Sequence, residues 1–280
     1  MRHSAIGAAM LAVVVAAGVS FSPSGAVAAQ GGVLAGCADP ELPATDTLTL
    51  CQRALRDTDL TPQQRAAVLV NLGVAQAAIG RHVDAEQSFG LAIGTDDTLV
   101  QAFGNRARSR LALGRYADAL EDFDEAIARA PGDAQLWLGR GGALLRGGSA
   151  RAAVSDLSRA IRIDPSLDAA WFNRGLGYLL VGETEAADAD FSTVIKRDDR
   201  DAGAYLNRGR ARAVHAPARA GSDFDRAVAL APDWGRVFVA RGQFRDDRGD
   251  AEGADQDFLR AYELGERDVW LLDRIKQIGG

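Results

Sequence analysis

The stretch FGNRARSRLALGRYADALEDFDEAIARAP, Phe103–Pro131, carries the pattern that decides the fold. In its second half, Ala119, Phe123 and Ala126 are spaced by four and three residues, which places them on one face of a helix. Gly114 stands in the middle of the stretch, where a glycine is typical of a helix end followed by a turn. The final proline stops the second helix. The stretch therefore predicts two helices joined by a tight turn.

A similar pattern returns about every 34 residues, and six copies can be aligned in register, the fifth being one residue short. The copies are Ala66–Leu99, Val100–Asp133, Ala134–Leu167, Asp168–Asp201, Ala202–Trp234 and Gly235–Asp268. Each first helix opens with a large apolar residue, at Leu69, Phe103, Trp137, Trp171, Tyr205 and Phe238. A small residue follows at Gly73, Ala107, Gly141, Gly175, Gly209 and Gly242. Small residues at a fixed place indicate close contact between the two helices of each copy.

This pattern resembles the tetratricopeptide repeat family, whose helix–turn–helix unit of about 34 residues is marked by these small, aromatic and proline positions. The resemblance covers Ala66–Asp268, and Leu69 departs from the aromatic residue of the family pattern. It implies an all-α, right-handed superhelical solenoid of six full repeats, with a concave face lined mainly by the first helices. Isolated repeats cannot bury their apolar faces, so stability comes from stacking neighbours.

Both ends of the array predict closing elements. Within residues 30–65, Asp46–Arg56 is interpreted as a lone second helix, or half repeat. Thr61–Gln64 (TPQQ) then supplies an N-cap, a proline in the first turn and a capping-box glutamine for the first full repeat. After the repeats of residues 66–268, residues 269–280 are predicted to form a capping helix, because Asp268–Ile278 is amphipathic.

Residues 1–29 have the three-part layout of a secretory signal peptide. Arg2 and His3 precede the apolar run Ile6–Val19, and small residues follow up to an expected cleavage site near Ala28 or Ala29. The alternative is a transmembrane anchor, but about 14 apolar residues are too few to span ~30 Å of hydrocarbon. No later stretch is long and apolar enough to cross a membrane. The sequence therefore predicts export to a periplasm or the cell exterior.

Cys37 and Cys51 are the two cysteines of the chain. In an exported protein, an even pair close in sequence indicates a disulfide. Two free thiols are the alternative. In addition, the residues Leu34–Cys37 (LAGC) look like the lipobox of bacterial lipoproteins, in which the cysteine becomes a lipid anchor. This match lies well beyond the apolar run that a lipobox normally adjoins.

Five copies carry an arginine just before the small residue and an aspartate just before the large residue of the second helix. These pairs are Arg106 with Asp122, Arg140 with Asp156, Arg174 with Asp190, Arg208 with Asp223, and Arg241 with Asp257. The first copy has neither, with Leu72 and Ser88 instead. Because both positions change together and arginine forms a two-pronged pair with carboxylate, the copies predict a structural Arg–Asp ladder inside the stack.

The resemblance also implies a place for ligands. Asn105, Asn173 and Asn207 stand where family members face the groove and often bond the backbone of a bound peptide; the alternative is a polar residue of the helix surface. The complete predicted peptide-binding set is Asn105, Arg108, Leu111, Arg146, Asn173, Leu176, Leu180, Asn207 and Arg210. For the leucines, the alternative is packing against adjacent helices. The Lys and Asn clamp with which some members hold chaperone tails is absent.

Composition narrows the function classes. A chain of 280 residues with 47% apolar and 25% charged residues is typical of a soluble globular protein, and its net charge of −6 argues against a nucleic-acid binder. His82 and His215 fall in separate turns, too far apart for a metal site or a nucleophile–base pair. We therefore expect no enzyme, cofactor or metal, but a scaffold that holds a peptide segment of a cell-envelope partner. The alternative is a structural or self-associating array.

Overall fold

The computed structural model describes residues 33–56 and 59–278, so the predicted signal peptide lies outside the described residues. The described residues form fifteen α-helices and no β-strand. The described residues divide into two compact units, with the boundary between Ala169 and Ala170.

The described part of the first unit contains the helices α1 (Val33–Cys37), α2 (Ala44–Ala54), α3 (Pro62–Ala78), α4 (His82–Thr95), α5 (Val100–Ala112), α6 (Tyr116–Arg129), α7 (Ala134–Arg146) and α8 (Ala150–Ile163). Helix α9 (Asp168–Val181) begins at the end of the first unit and continues into the second unit. The second unit continues with α10 (Thr184–Arg197), α11 (Ala202–His215), α12 (Pro217–Leu230), α13 (Gly235–Asp247), α14 (Ala251–Glu263) and α15 (Val269–Ile278).

The six predicted copies appear as six helix pairs. The first helices are α3, α5, α7, α9, α11 and α13, and each is followed by its second helix. From α5 onward, every first helix begins at the first residue of its predicted copy. Helix α3 begins earlier, at Pro62, behind the predicted capping box: Thr61 Oγ1 accepts a hydrogen bond from Gln64 N, and Gln64 Oε1 accepts one from Thr61 N.

The N-terminal closure rests on a disulfide. Cys37 and Cys51 are joined, as predicted, and both are fully buried with Val68 and Leu72 of α3. The bond ties the short helix α1, which sequence reasoning missed, to the half-repeat helix α2. A lipid thioether at Cys37 would need the same Sγ atom. On the chain-entropy model, closing this loop stabilises the fold by about 3 kcal/mol.

At the other end, α15 is the predicted capping helix. Leu271 is fully buried, and Ile275 and Ile278 pack against the same core of the last two repeats. Trp270, on a neighbouring position, meets the ring of Phe258 edge-on at 5.4 Å between centroids. The helix therefore covers the apolar side of α14.

The turns between paired helices depend on a left-handed glycine. Gly114 has φ +76°, a conformation that other residues rarely adopt, and the turns of four other copies have an equivalent glycine. Those four are Gly80, Gly148, Gly182 and Gly249. The fifth copy has Ala216 with φ −141°, followed at once by Pro217 at the start of α12. The residue missing from this copy is thus the left-handed glycine.

The small residues admit the large side chain of the second helix. A Cβ added to Gly175 would lie 2.8 Å from Phe191 Cζ, and one on Gly242 would lie 2.6 Å from Phe258 Cε1. Real Cβ atoms essentially never approach so closely. Phe191 is fully buried against this bare backbone. These glycines inside the first helices therefore serve the packing between the two helices of a repeat.

In the second copy, the space for the large side chain of the second helix is provided by a different residue. It has Ala107 at the small position, and here a Cβ on Gly139 of the next repeat would lie 2.6 Å from Phe123 Cε1. Four copies have asparagine at the Gly139 position, namely Asn71, Asn105, Asn173 and Asn207. In the other copies the glycine beside the large side chain lies in the same repeat. For Phe123 it lies in the following repeat, at Gly139.

This exchange predicts that the effect of Ala107→Gly on the free energy of unfolding changes sign when Gly139 is replaced. Gly139→Asn should lower the free energy of unfolding by about 1–3 kcal/mol, because the new side chain meets the Phe123 ring. Ala107→Gly alone should cost about 1 kcal/mol of helix propensity, yet in the Gly139→Asn background it should stabilise, since the ring gains room in its own repeat. Urea unfolding followed by circular dichroism measures all three variants, and simple additivity would contradict the exchange.

Candidate peptide-binding face

Each ladder arginine donates two hydrogen bonds to its aspartate. The Nε–Oδ2 and Nη2–Oδ1 distances are 2.9 and 2.7 Å for Arg106 with Asp122, and 2.8 Å for both in Arg174 with Asp190. The other three pairs have the same two-pronged geometry: Arg140 with Asp156, Arg208 with Asp223, and Arg241 with Asp257. All five aspartates are buried. These arginines therefore join the two helices of a repeat.

The same guanidinium groups also cover aromatic rings. The Arg140 Cζ atom lies 4.8 Å from the ring centroid of Trp137, and Arg174 lies 5.0 Å from Trp171. In each case the ring is three residues before the arginine, so it lies on the same helix face. Such cation–π contacts stabilise aromatic residues that are only half-buried near the beginning of the first helices. The three-residue spacing was visible in the sequence, but its meaning was missed.

A second arginine reinforces three of the pairs. Arg110, one turn after Arg106, donates to Asp122 Oδ2 at 2.9 Å, and Arg212 and Arg245 do the same for Asp223 and Asp257. In the first copy the equivalent contact is neutral: Ser88 Oγ donates to Gln76 Oε1 at 2.7 Å. The first copy has therefore replaced a charged contact by an uncharged one at the same place.

Burial works against these charges. Burial raises the pKa of Asp190, and the two hydrogen bonds from Arg174 oppose the rise. The same bonds raise the pKa of Arg174. Each charged group of this pair therefore depends on its partner. A pair of this kind adds little net stability, yet loss of one partner is costly.

The three predicted asparagines are buried, with 7%, 2% and 7% of the surface of Asn105, Asn173 and Asn207 exposed. Asn105 Oδ1 accepts a hydrogen bond from Arg108 Nη1 at 3.1 Å, and Asn207 Oδ1 accepts one from Arg210 Nη1 at 3.2 Å. These asparagines hold arginines of their own helix. The expectation that they face an open groove and bond a peptide backbone is corrected, because all three are buried.

Asn173 differs because Leu176 stands where the other two copies have the arginine. Its Oδ1 atom is buried and has no hydrogen-bond partner among the described residues. Leu176 itself is 6% exposed and belongs to the apolar core of the second unit, and Leu111 is equally buried in a core of the first unit. The expectation that these two leucines line an open groove is corrected: they pack between helices.

Four predicted residues keep accessible surface. In the first unit these are Arg108 and Arg146, both half-buried near or at the ends of first helices. In the second unit they are Arg210, half-buried, and Leu180, which is 38% exposed. Val214, which sequence reasoning did not single out, occupies the position of Leu180 one repeat later and is 69% exposed.

Burial gives Arg108 and Arg210 an unusual environment. It lowers the pKa of Arg108, partly offset by the charge of Asp133. Burial, together with the nearby positive charge of Arg236, lowers the pKa of Arg210 to about 10. Both side chains remain protonated at neutral pH. No hydrogen bond or ion pair joins either guanidinium to a carboxylate in the part of the chain that the structure describes.

The described ranges contain no group of three or more His, Cys, Asp and Glu side chains arranged to hold a metal ion. His215, the last residue of α11, lies 3.2 Å from Asp188 Oδ2 through Nε2, while Arg212 binds the same carboxylate. None of the described helices has the length and apolar character needed to cross a bilayer.

Comparison with known proteins points to one family. Residues 105–168 match the tetratricopeptide repeat family model. No curated protein sequence matches the chain. Among solved structures, a tetratricopeptide repeat protein from Parabacteroides merdae has a TM-score of 0.64 at 20% identity, covering 85% of this chain and 93% of its own.

Two further structures share the fold. Pseudomonas aeruginosa pilF has a TM-score of 0.65 at 16% identity, covering 79% of this chain and 100% of its own. YrrB, a TPR protein with an unusual peptide-binding site, has a TM-score of 0.55 at 17% identity, covering 69% of this chain and 99% of its own. Residues 105–168 therefore match the tetratricopeptide repeat model in sequence, and the six helix pairs share the fold of these tetratricopeptide repeat proteins.

Proposed function

We propose that this protein is a non-catalytic scaffold that binds a polypeptide segment of a partner on the first-helix faces of its repeats. The observation that carries the proposal is the repeated exposure of apolar side chains at one register position. Leu180 and Val214 stand at the same place in consecutive first helices and are 38% and 69% exposed. Single exposed apolar residues are ordinary, but recurrence at one position of a repeat is typical of a contact surface.

The proposed compartment is outside the cytoplasm. A buried disulfide closes the N-terminal half repeat, and such bonds persist in oxidising environments. The predicted signal peptide points the same way. The partner would therefore be a protein of the cell envelope or its surroundings.

Peptide binding is also a use that this fold serves elsewhere, since YrrB has a peptide-binding site. Helical repeats offer a row of side chains at regular intervals, so an extended or helical segment can contact several repeats in turn. In this chain the accessible positions occur at or near the ends of first helices, in each unit separately.

Site-specific photo-crosslinking tests the proposal. Benzoylphenylalanine placed at Leu180, on the first helix α9, should form an adduct with a partner polypeptide in intact cells. Leu259 on the second helix α14 is the matched control, because it is the same residue type with 39% exposure. We expect adducts at Leu180 in several-fold excess over Leu259.

The identity of the adduct distinguishes the alternatives. A different polypeptide at Leu180 supports the scaffold. A second copy of this chain at that position would favour the self-associating array instead. Equal labelling at both positions, or labelling at Leu259 alone, would show that the first-helix face is not the binding surface.

A further inference from the structure

The charges of this acidic chain are sorted by helix. In the first unit, the first helices α3, α5 and α7 contain arginines but no aspartate or glutamate. The second helices α4 and α6 carry more acidic than basic residues, whereas α8 carries one aspartate and three arginines. Helix α9 begins with Asp168 but has no further acidic residue, and α11 and α13 have none before Asp246. The first helices are therefore basic although the net charge of the whole chain is −6.

Most of this positive charge is already neutralised. The ladder arginines and the three that reinforce them point at aspartates of second helices. Arg108 and Arg210 are different, because each donates to an asparagine of its own helix. Their surroundings thus separate them from the arginines whose role is structural.

The two asparagine–arginine dyads, Asn105–Arg108 and Asn207–Arg210, are equivalent sites in different repeats. Each has a buried asparagine whose Oδ1 atom accepts from the guanidinium Nη1 atom, and each arginine comes three residues later. A guanidinium has five N–H donors. One hydrogen bond to the asparagine orients the group and leaves further donors for a ligand.

A partly desolvated cation without a carboxylate partner is costly, and an approaching carboxylate would remove that cost. The buried amide cannot supply this compensation because it carries no charge. In the fourth copy, where the arginine is replaced by Leu176, the buried asparagine oxygen is left without a partner. The arginines at the other two places therefore satisfy the asparagine oxygens, while neither guanidinium donates a hydrogen bond to a described carboxylate.

We propose that the two dyads recognise acidic side chains of the partner, so that the first-helix faces select acidic polypeptide segments. This inference rests on the proposed function and names its ligand class. A polypeptide fits better than a nucleic acid, because two isolated guanidinium groups suit separate carboxylates, whereas a continuous polyanion requires an unbroken basic stripe.

The test uses the full chain and a displayed library of random dodecapeptides. Selection on the wild type should enrich peptides that contain aspartate or glutamate. Selection on Arg108→Gln/Arg210→Gln should lose that enrichment. The matched control is Arg151→Gln/Arg219→Gln, which removes the same charge from one exposed second-helix arginine in each unit and should retain the enrichment. Circular dichroism melting establishes that each variant is folded.

Affinities of the best peptide and its Glu→Gln copy then give the size of the effect by fluorescence anisotropy. The peptide should bind the dyad variant at least about tenfold more weakly than the control variant. An equal loss of peptide affinity in both variants would contradict recognition by the dyads, because it would reflect only the change in net charge. Enriched peptides that are neutral or basic would overturn the acidic class while leaving the scaffold intact. No enrichment at all, or tighter binding of a single-stranded oligonucleotide, would overturn both.

Discussion

Asp122→Ser is expected to lower the free energy of unfolding by about 3 kcal/mol, because it removes the buried carboxylate on which Arg106 and Arg110 converge. The aspartate side chain is 4% exposed and that of Arg106 20%, so water can compensate the guanidinium only in part. Urea unfolding followed by circular dichroism measures the change. Asp124→Ser on the same helix is the control, because that side chain is 63% exposed and its loss should cost less than about 1 kcal/mol.

The first copy supplies the second half of this test. Its Leu72 and Ser88 stand at the two ladder positions without a charge at either. Arg106→Leu/Asp122→Ser reproduces that combination and should be more stable than the sum of the single variants implies, since no uncompensated guanidinium remains at position 106. If the single losses simply add, the pair is not energetically coupled.

Phe191→Ala is expected to cost about 3–5 kcal/mol, because this side chain is fully buried and fills the space between helices of the fourth repeat. Leu259→Ala, at an exposed apolar position of α14, should change stability by less than about 0.5 kcal/mol. Both variants are measured by the same urea unfolding.

Gly175 makes the Phe191 result more specific. In the wild type, Gly175→Ala places a Cβ 2.8 Å from the phenylalanine ring and should destabilise. In the Phe191→Ala background the same methyl group enters the cavity and improves helix propensity, so it should stabilise. The same sign of effect in both backgrounds would contradict the contact between glycine and ring.

The sequence was sufficient for the architecture because each packing position recurs. Periodicity placed the helices of the repeats to within a few residues, and comparison of the internal copies predicted the Arg106–Asp122 contact. Helix α1 escaped notice because five residues are too few to show a periodic pattern.

Exposure of the candidate site was harder to predict. Asn105, Asn207 and Leu176 lie on the helix face where the resemblance implied a groove, yet they are buried. A first helix in a stack is covered both by its own second helix and by the neighbouring repeat, so a polar residue on the remaining stripe can still be enclosed. Helical periodicity reports which residues share a face, but not how far the neighbouring side chains fold over it.

The exchange between Ala107 and Gly139 limits how far the repeats are interchangeable. The space for Phe123 is provided by the following repeat, so these two repeats are matched to each other as a pair. Excising Ala134–Leu167 would bring Asn173 to the place of Gly139 and force its amide against the ring. This chain is therefore modular in units larger than one repeat, and rearrangements by recombination should succeed only where the second and third copies travel together.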